Sequence, residues 1–150
     1  MKRIVSLLAA MLILVACALP CFAETPGLTG AQVVSTRTET LDSGIVRTTT
    51  VYEYPVAARA STRRGSVHQE LKYQGKLIAS IYLNATFSYN GSTATATSAS
   101  SSHSVASGWS YIGESVWCSG ATAHLTATVS GLAKLPIDLT LTCSPSGVLS

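Results

Sequence analysis

Three runs of strict apolar–polar alternation, turn dipeptides at short intervals and no sustained helical period together predict an all-β chain. The spacing of these signals gives about eight strands, which suit an antiparallel β-sandwich, with a small β-barrel as the alternative. A period of two sends successive side chains to opposite faces, so each run describes a strand with one buried and one wetted face.

The chain of 150 residues opens with Lys2 and Arg3, an apolar run from Ile4 to Ala16, and Cys21-Phe22-Ala23. Positive charge, an apolar stretch and small residues at the two positions a signal peptidase reads make residues 1–23 a signal peptide, with cleavage expected between Ala23 and Glu24. Pro20 and Glu24-Thr25-Pro26-Gly27 end the run before the roughly 20 apolar residues a spanning helix needs. Residues 24–150 are then one secreted β domain with no integral membrane span. A rival reading takes Leu14-Val15-Ala16-Cys17 as a lipobox, which would make the protein a lipoprotein anchored through Cys17. Ala18-Leu19-Pro20 follows that cysteine where a polar tether would be expected.

Along the mature chain, Gln32 to Leu41 and Ile45 to Tyr54 are rich in Val, Thr and Tyr, and Asp42-Ser43-Gly44 between them suits a three-residue hairpin with Gly44 left-handed. That register sets Leu41 opposite Ile45 and Glu39 opposite Arg47 in a hairpin over residues 31–54. Residues 55–65 hold Arg59, Arg63 and Arg64 and read as a solvated linker, with a dibasic processing site at Arg63-Arg64 as the sharper alternative. The main sheet strands occupy 66–143. Gln74-Gly75 and Asn90-Gly91 mark turns on either side of the first alternating run, in which Ala79, Ile81, Leu83, Ala85, Phe87 and Tyr89 share a face. Residues 92–107 are mostly Ser, Thr and Ala; a strand to about Ser98 and a mobile loop to Gly108 are expected there. The second run buries Ala121, Ala123, Leu125, Ala127 and Val129, and the third buries Leu135, Ile137, Leu139, Leu141 and Cys143.

Signal removal takes away two of the ten basic residues and none of the seven acidic ones, leaving eight against seven. A nearly neutral domain gives no electrostatic case for nucleic acid. It also removes Cys17 and Cys21, so Cys118 and Cys143 remain as an even pair that an oxidising exterior would close into a disulfide. Such a link would add roughly 3.5 kcal/mol of stability. It carries a topological condition: if the two strands flank the 121–129 strand in a simple meander they lie about 9.5 Å apart, beyond disulfide reach. The strands must then face or pair with each other, or the thiols are free.

No G-x-S-x-G elbow, nucleotide loop, H-E-x-x-H or C-x-x-C motif is present, and His68, His103 and His124 fall on separate elements. The sequence therefore points away from an enzyme and calls for no cofactor or metal. Trp109, Tyr111 and Trp117 share parity on one expected strand, with Ile112, Val116 and Cys118 on its other face. These rings are either core or a platform for stacking on sugars or peptides.

From Asn84-Ala85-Thr86-Phe87-Ser88-Tyr89-Asn90-Gly91 through Gly108-Trp109-Ser110 to Leu139-Thr140-Leu141-Thr142-Cys143-Ser144-Pro145-Ser146-Gly147, the last half of the chain resembles small secreted proteins of Gram-positive gut bacteria with no assigned function. The resemblance implies a secreted or cell-surface setting and supplies no active residues. Expectation thus settles on a non-enzymatic extracellular protein with a structural or protein-binding role. The alternatives are a carbohydrate-binding module using the three aromatics, and a hydrolase whose site forms only on folding. The partner is an extracellular protein or glycan.

Overall fold

The computed structural model describes residues 30–57 and 61–150; the expected cleavage site at Ala23 and Glu24 and the alternative lipidation site at Cys17 lie outside them. The described residues form eight strands: β1 Gln32–Thr40, β2 Ile45–Tyr54, β3 Thr62–Tyr73, β4 Lys76–Tyr89, β5 Ala94–Val105, β6 Ser110–Ser119, β7 Thr122–Ser130 and β8 Lys134–Thr142. They pair antiparallel in strict chain order, β1 to β5 in one sheet and β6 to β8 in a second. The fold is therefore a two-sheet sandwich, and the barrel alternative is not adopted.

Local chemistry sets the registers. Gly44, at φ 75°, closes the first hairpin; its N–H donates to the Leu41 carbonyl and Leu41 N–H donates to that of Ile45, both at 2.8 Å. Glu39 then pairs with Arg47 as expected. Gln74 and Gly75, at φ 50° and 77°, make the two-residue turn between β3 and β4. The Asn90-Gly91 turn works otherwise: the Asn90 side-chain oxygen accepts from the N–H groups of Ser92 and Thr93, capping a wider connection.

The core lies between the sheets and is supplied by the predicted alternations. Ile81, Leu83 and Phe87 of β4 meet Leu125 and Val129 of β7 and Ile137, Leu139 and Leu141 of β8, all buried. Gly65 of β3 admits a close approach, since a β-carbon there would lie 2.5 Å from the Leu149 side chain and 2.8 Å from the Tyr52 carbonyl.

Four expectations are corrected. Arg63, Arg64 and Gly65 belong to β3 rather than to a 55–65 linker; Arg63 is held by Glu53 at 2.6 Å and donates to the Gly147 carbonyl at 2.9 Å. β5 runs on through the serine-rich stretch to Val105, because β4 is long enough to pair with it throughout. Tyr111 and Trp117 do not share a face: Gly113, at φ 68°, and Glu114 form a bulge between Ile112 and Ser115 that reverses the parity of the rest of β6. Tyr111, Val116 and Cys118 thus face the core side and Ile112 and Trp117 the outside. Finally, β7 separates β6 from β8, the meander in which a Cys118–Cys143 disulfide is out of reach, and both cysteines are free thiols, Cys118 exposed and Cys143 buried.

Candidate functional site

Five strands against three leave an overhang. β6 and β7 lie over β5, β7 and β8 over β4, and β8 over β3. β1 extends past β8 and is exposed along most of its length, while β2 beside it is half-buried, with Ile45 in the core and Arg47 reaching the Pro136 carbonyl of β8. Between this shelf and β8 lies a groove of about 250 Å³, with Ser35, Arg37, Thr49, Val51 and Gln69 among its floor residues and Asp138, Leu139 and Thr140 as its wall.

The floor is polar where a sandwich interior is normally apolar. On β3 the inward series is Gly65, Val67, Gln69, Leu71, so Gln69 occupies a core position and is only 4 % exposed. Its Nε2 donates to Thr49 Oγ1 at 3.2 Å, while its Oε1 is buried without a hydrogen-bond partner. Beside it on the sheet, Arg47 donates through Nη1 to Glu39 at 3.1 Å and through Nη2 to the Pro136 carbonyl at 3.2 Å, and its Nε is likewise buried and unpartnered. An unmet buried polar group costs about 1–3 kcal/mol, so native folds rarely keep one without reason. Here a buried acceptor and a buried donor, both unpaired, belong to two residues that line one groove.

β8 supplies further open groups. Pro136 turns its carbonyl to Arg47, and Thr142 exchanges hydrogen bonds with Ser150 at 2.8 and 3.0 Å, so both residues direct their backbone groups away from β7. A strand alternates with a period of two. Asp138 and Thr140 share that phase, and among the described residues no strand pairs with β8 on that side beyond the Cys143–Leu149 bridge.

The aromatics expected as a platform are dispersed. Trp109 packs on Gly131, where a β-carbon would stand 2.5 Å from its ring. Tyr111 stacks on His103 with centroids 3.7 Å apart. Trp117 is 41 % exposed and lies nearly parallel to His124, centroids 4.9 Å apart, on the outer face of β6 and β7. No single surface presents all three.

A second polar cluster sits where β5 meets β6. His103 Nδ1 is 3.7 Å from Glu114, and the Tyr111 hydroxyl of the same cluster is buried without a hydrogen-bond partner. The polar side chains of Ser101 and Tyr111 beside it, with His103 nearby, hold the Glu114 carboxyl below its ordinary pKa. Burial, then Glu114, pushes the Tyr111 hydroxyl up. A serine, a histidine and a carboxylate do converge, yet a carboxylate with lowered proton affinity is a poor general base. On the outer face of the larger sheet, His68 stacks on Tyr82 with centroids 4.0 Å apart and bonds Ser80 Oγ at 2.8 Å. Among the described residues no group of three His, Cys, Asp or Glu side chains is placed to hold a metal ion. Nor is any helix there long and apolar enough to cross a membrane.

The groove was missed in the sequence reading. Its one visible signal is Gln69, a large polar residue in the phase of Val67 and Leu71. No family model, curated protein or solved structure matches the chain.

Proposed function

We propose that this chain is an exported, non-enzymatic domain that binds another protein through the groove between β8 and the β1–β2 shelf. Export is supported by the charged-then-apolar opening of residues 1–23 and the small residues before Glu24. The observation that carries the binding role is Gln69 Oε1, an acceptor buried in a groove and left unpaired. A bound partner would supply its donor and take up the Arg47 Nε donor, recovering free energy that the isolated domain forgoes.

A photo-crosslinking side chain at Thr49, on the groove floor, tests this in the producing cell, with Ser102 on the outer face as control. Crosslinking to a discrete protein from Thr49 and not from Ser102 is expected. Equal labelling from both positions, or none from Thr49, overturns the reading.

A sugar-binding reading is favoured by one observation, the exposed ring of Trp117. Its indole already stacks on His124 and lies on an open sheet face. Soluble cell-wall glycans that quench tryptophan fluorescence in the native domain and not in Trp117→Ala would support it.

A further inference from the structure

Resting on the groove as the binding surface, we propose that its ligand is an extended segment of a partner protein that adds as a fourth strand to the open edge of β8, above β2 and β1.

The chain itself begins such a strand. After β8, residues 144–150 turn back: Ser144 N–H donates to the Val148 carbonyl at 2.8 Å, Cys143 bridges Leu149, and Ser150 exchanges two hydrogen bonds with Thr142. This pairing is antiparallel to β8, lies on the edge away from β7, and among the described residues joins Thr142 to Ser150 and Cys143 to Leu149. The next positions of the same phase are Thr140 and Asp138, both in the groove wall. Beyond them Pro136 has no N–H to offer, and its carbonyl is occupied by Arg47. The open template is therefore bounded at both ends by groups already satisfied.

The floor specifies what lies over it. An incoming strand alternates, so every second side chain points down onto Thr49, Gln69, Arg47 and Ser35. Those positions suit amides and hydroxyls, which donate to Gln69 Oε1 and accept from Arg47 Nε. Arg37 and Arg47 are balanced by Glu39 and Asp138, so the groove has no net sign to select a charged segment. Strand addition of this kind draws affinity from main-chain hydrogen bonds and selectivity from alternate side chains.

A second copy of this chain does not fit the edge. Two β8 strands paired about a twofold normal to the sheet would bring both β1–β2 shelves to the same side and into the same space. The overhang is two strands wide, about 9.6 Å, and admits a lone extended segment.

The test separates backbone from side-chain recognition. Appending Thr-Asn-Thr-Asn-Val-Asn after Ser150 continues the existing pairing along the edge at an effective concentration of order millimolar. Amide exchange at Asp138 and Thr140 should slow at least about tenfold relative to the unextended chain, as backbone pairing requires. Thr140→Ala keeps the edge N–H and should retain the protection at Asp138. Thr140→Pro removes it, as Pro136 does naturally in the same phase, and should abolish the protection while β7 amides stay protected, which also reports that the variant is folded. Capture of the partner from Thr49 should likewise survive Thr140→Ala and fall about tenfold in Thr140→Pro, the loss expected when one incoming carbonyl is buried without a donor.

Unchanged exchange in the extended chain overturns strand addition, as does equal binding by the alanine and proline variants. Protection of both amides in the unextended, partner-free chain also overturns it, because the edge would then be covered by the chain itself. Crosslinking from Thr49 without strand protection leaves the binding surface standing and removes strand addition alone. Absence of crosslinking removes the binding surface and this proposal with it.

Discussion

Replacing Gln69 with leucine separates a residue kept for stability from one kept for a ligand. Gln69 is 4 % exposed, so its amide is desolvated, yet only Nε2 has a partner. Leucine has a similar volume and opens no cavity. It removes an orphan acceptor that costs about 1–3 kcal/mol and forfeits one neutral hydrogen bond worth about 1 kcal/mol. Thr49, half-buried at the groove floor, can turn its released hydroxyl to water. The balance favours Gln69→Leu by about 0–2 kcal/mol, a rise in Tm of up to about 8 °C for a domain of this size. Thermal unfolding of the mature domain followed by far-ultraviolet circular dichroism measures it, and the crosslink from Thr49 should weaken in the same variant. A lower Tm for Gln69→Leu refutes the reasoning, because Oε1 must then be satisfied in the free protein.

Three further outcomes follow from packing and titration. Gly65→Ala should destabilise by about 1–3 kcal/mol, since its new methyl meets the Tyr52 carbonyl at 2.8 Å as well as Leu149; a denaturant midpoint equal to the native one would contradict this. Burial, opposed by Glu70 and reinforced by Lys72, holds the His68 pKa below the ordinary imidazole value of about 6.5. The unfolded chain then binds more protons between the two values, so His68's contribution to stability is present above about pH 6.5 and is lost as pH falls through the lowered folded value. Unfolding free energies across that window should lose part of their slope in His68→Gln; an unchanged slope refutes the assignment. Iodoacetamide should modify Cys118 in the native protein and reach Cys143 only on unfolding, because Cys143 is buried and its thiol pKa is raised by that burial. Protection of both thiols without denaturant would contradict the free, exposed Cys118.

Strands with contrast between their faces were legible. Ala79 to Tyr89, Ala121 to Val129 and Leu135 to Cys143 declare both strand and buried face, because apolar and polar residues alternate without interruption. Asp42-Ser43-Gly44 declares its turn because only a residue tolerant of positive φ closes it cheaply. β5 was half hidden: Ser98 to Ser104 alternates in geometry but not in polarity, and a run of hydroxyls resembles a loop until β4 is seen to pair with it. The aromatic platform failed for a local reason, since the extra residue at Gly113-Glu114 inverts every side chain after it. The groove was illegible for a global one. It arises because one sheet has two more strands than the other, a property of the assembled sandwich and of no single segment. Only Gln69 among Val67 and Leu71 hinted that one stretch of the inner face was not meant to be dry.

The account stands on β8 offering an open backbone edge to the groove. Residue-resolved amide exchange of the mature, partner-free domain measures this directly. Asp138 and Thr140 should exchange rapidly and Leu139 and Leu141, whose N–H groups face β7, slowly, an alternation with the period of the strand. Uniform protection from Ile137 to Leu141 would contradict the open edge and the strand addition built on it.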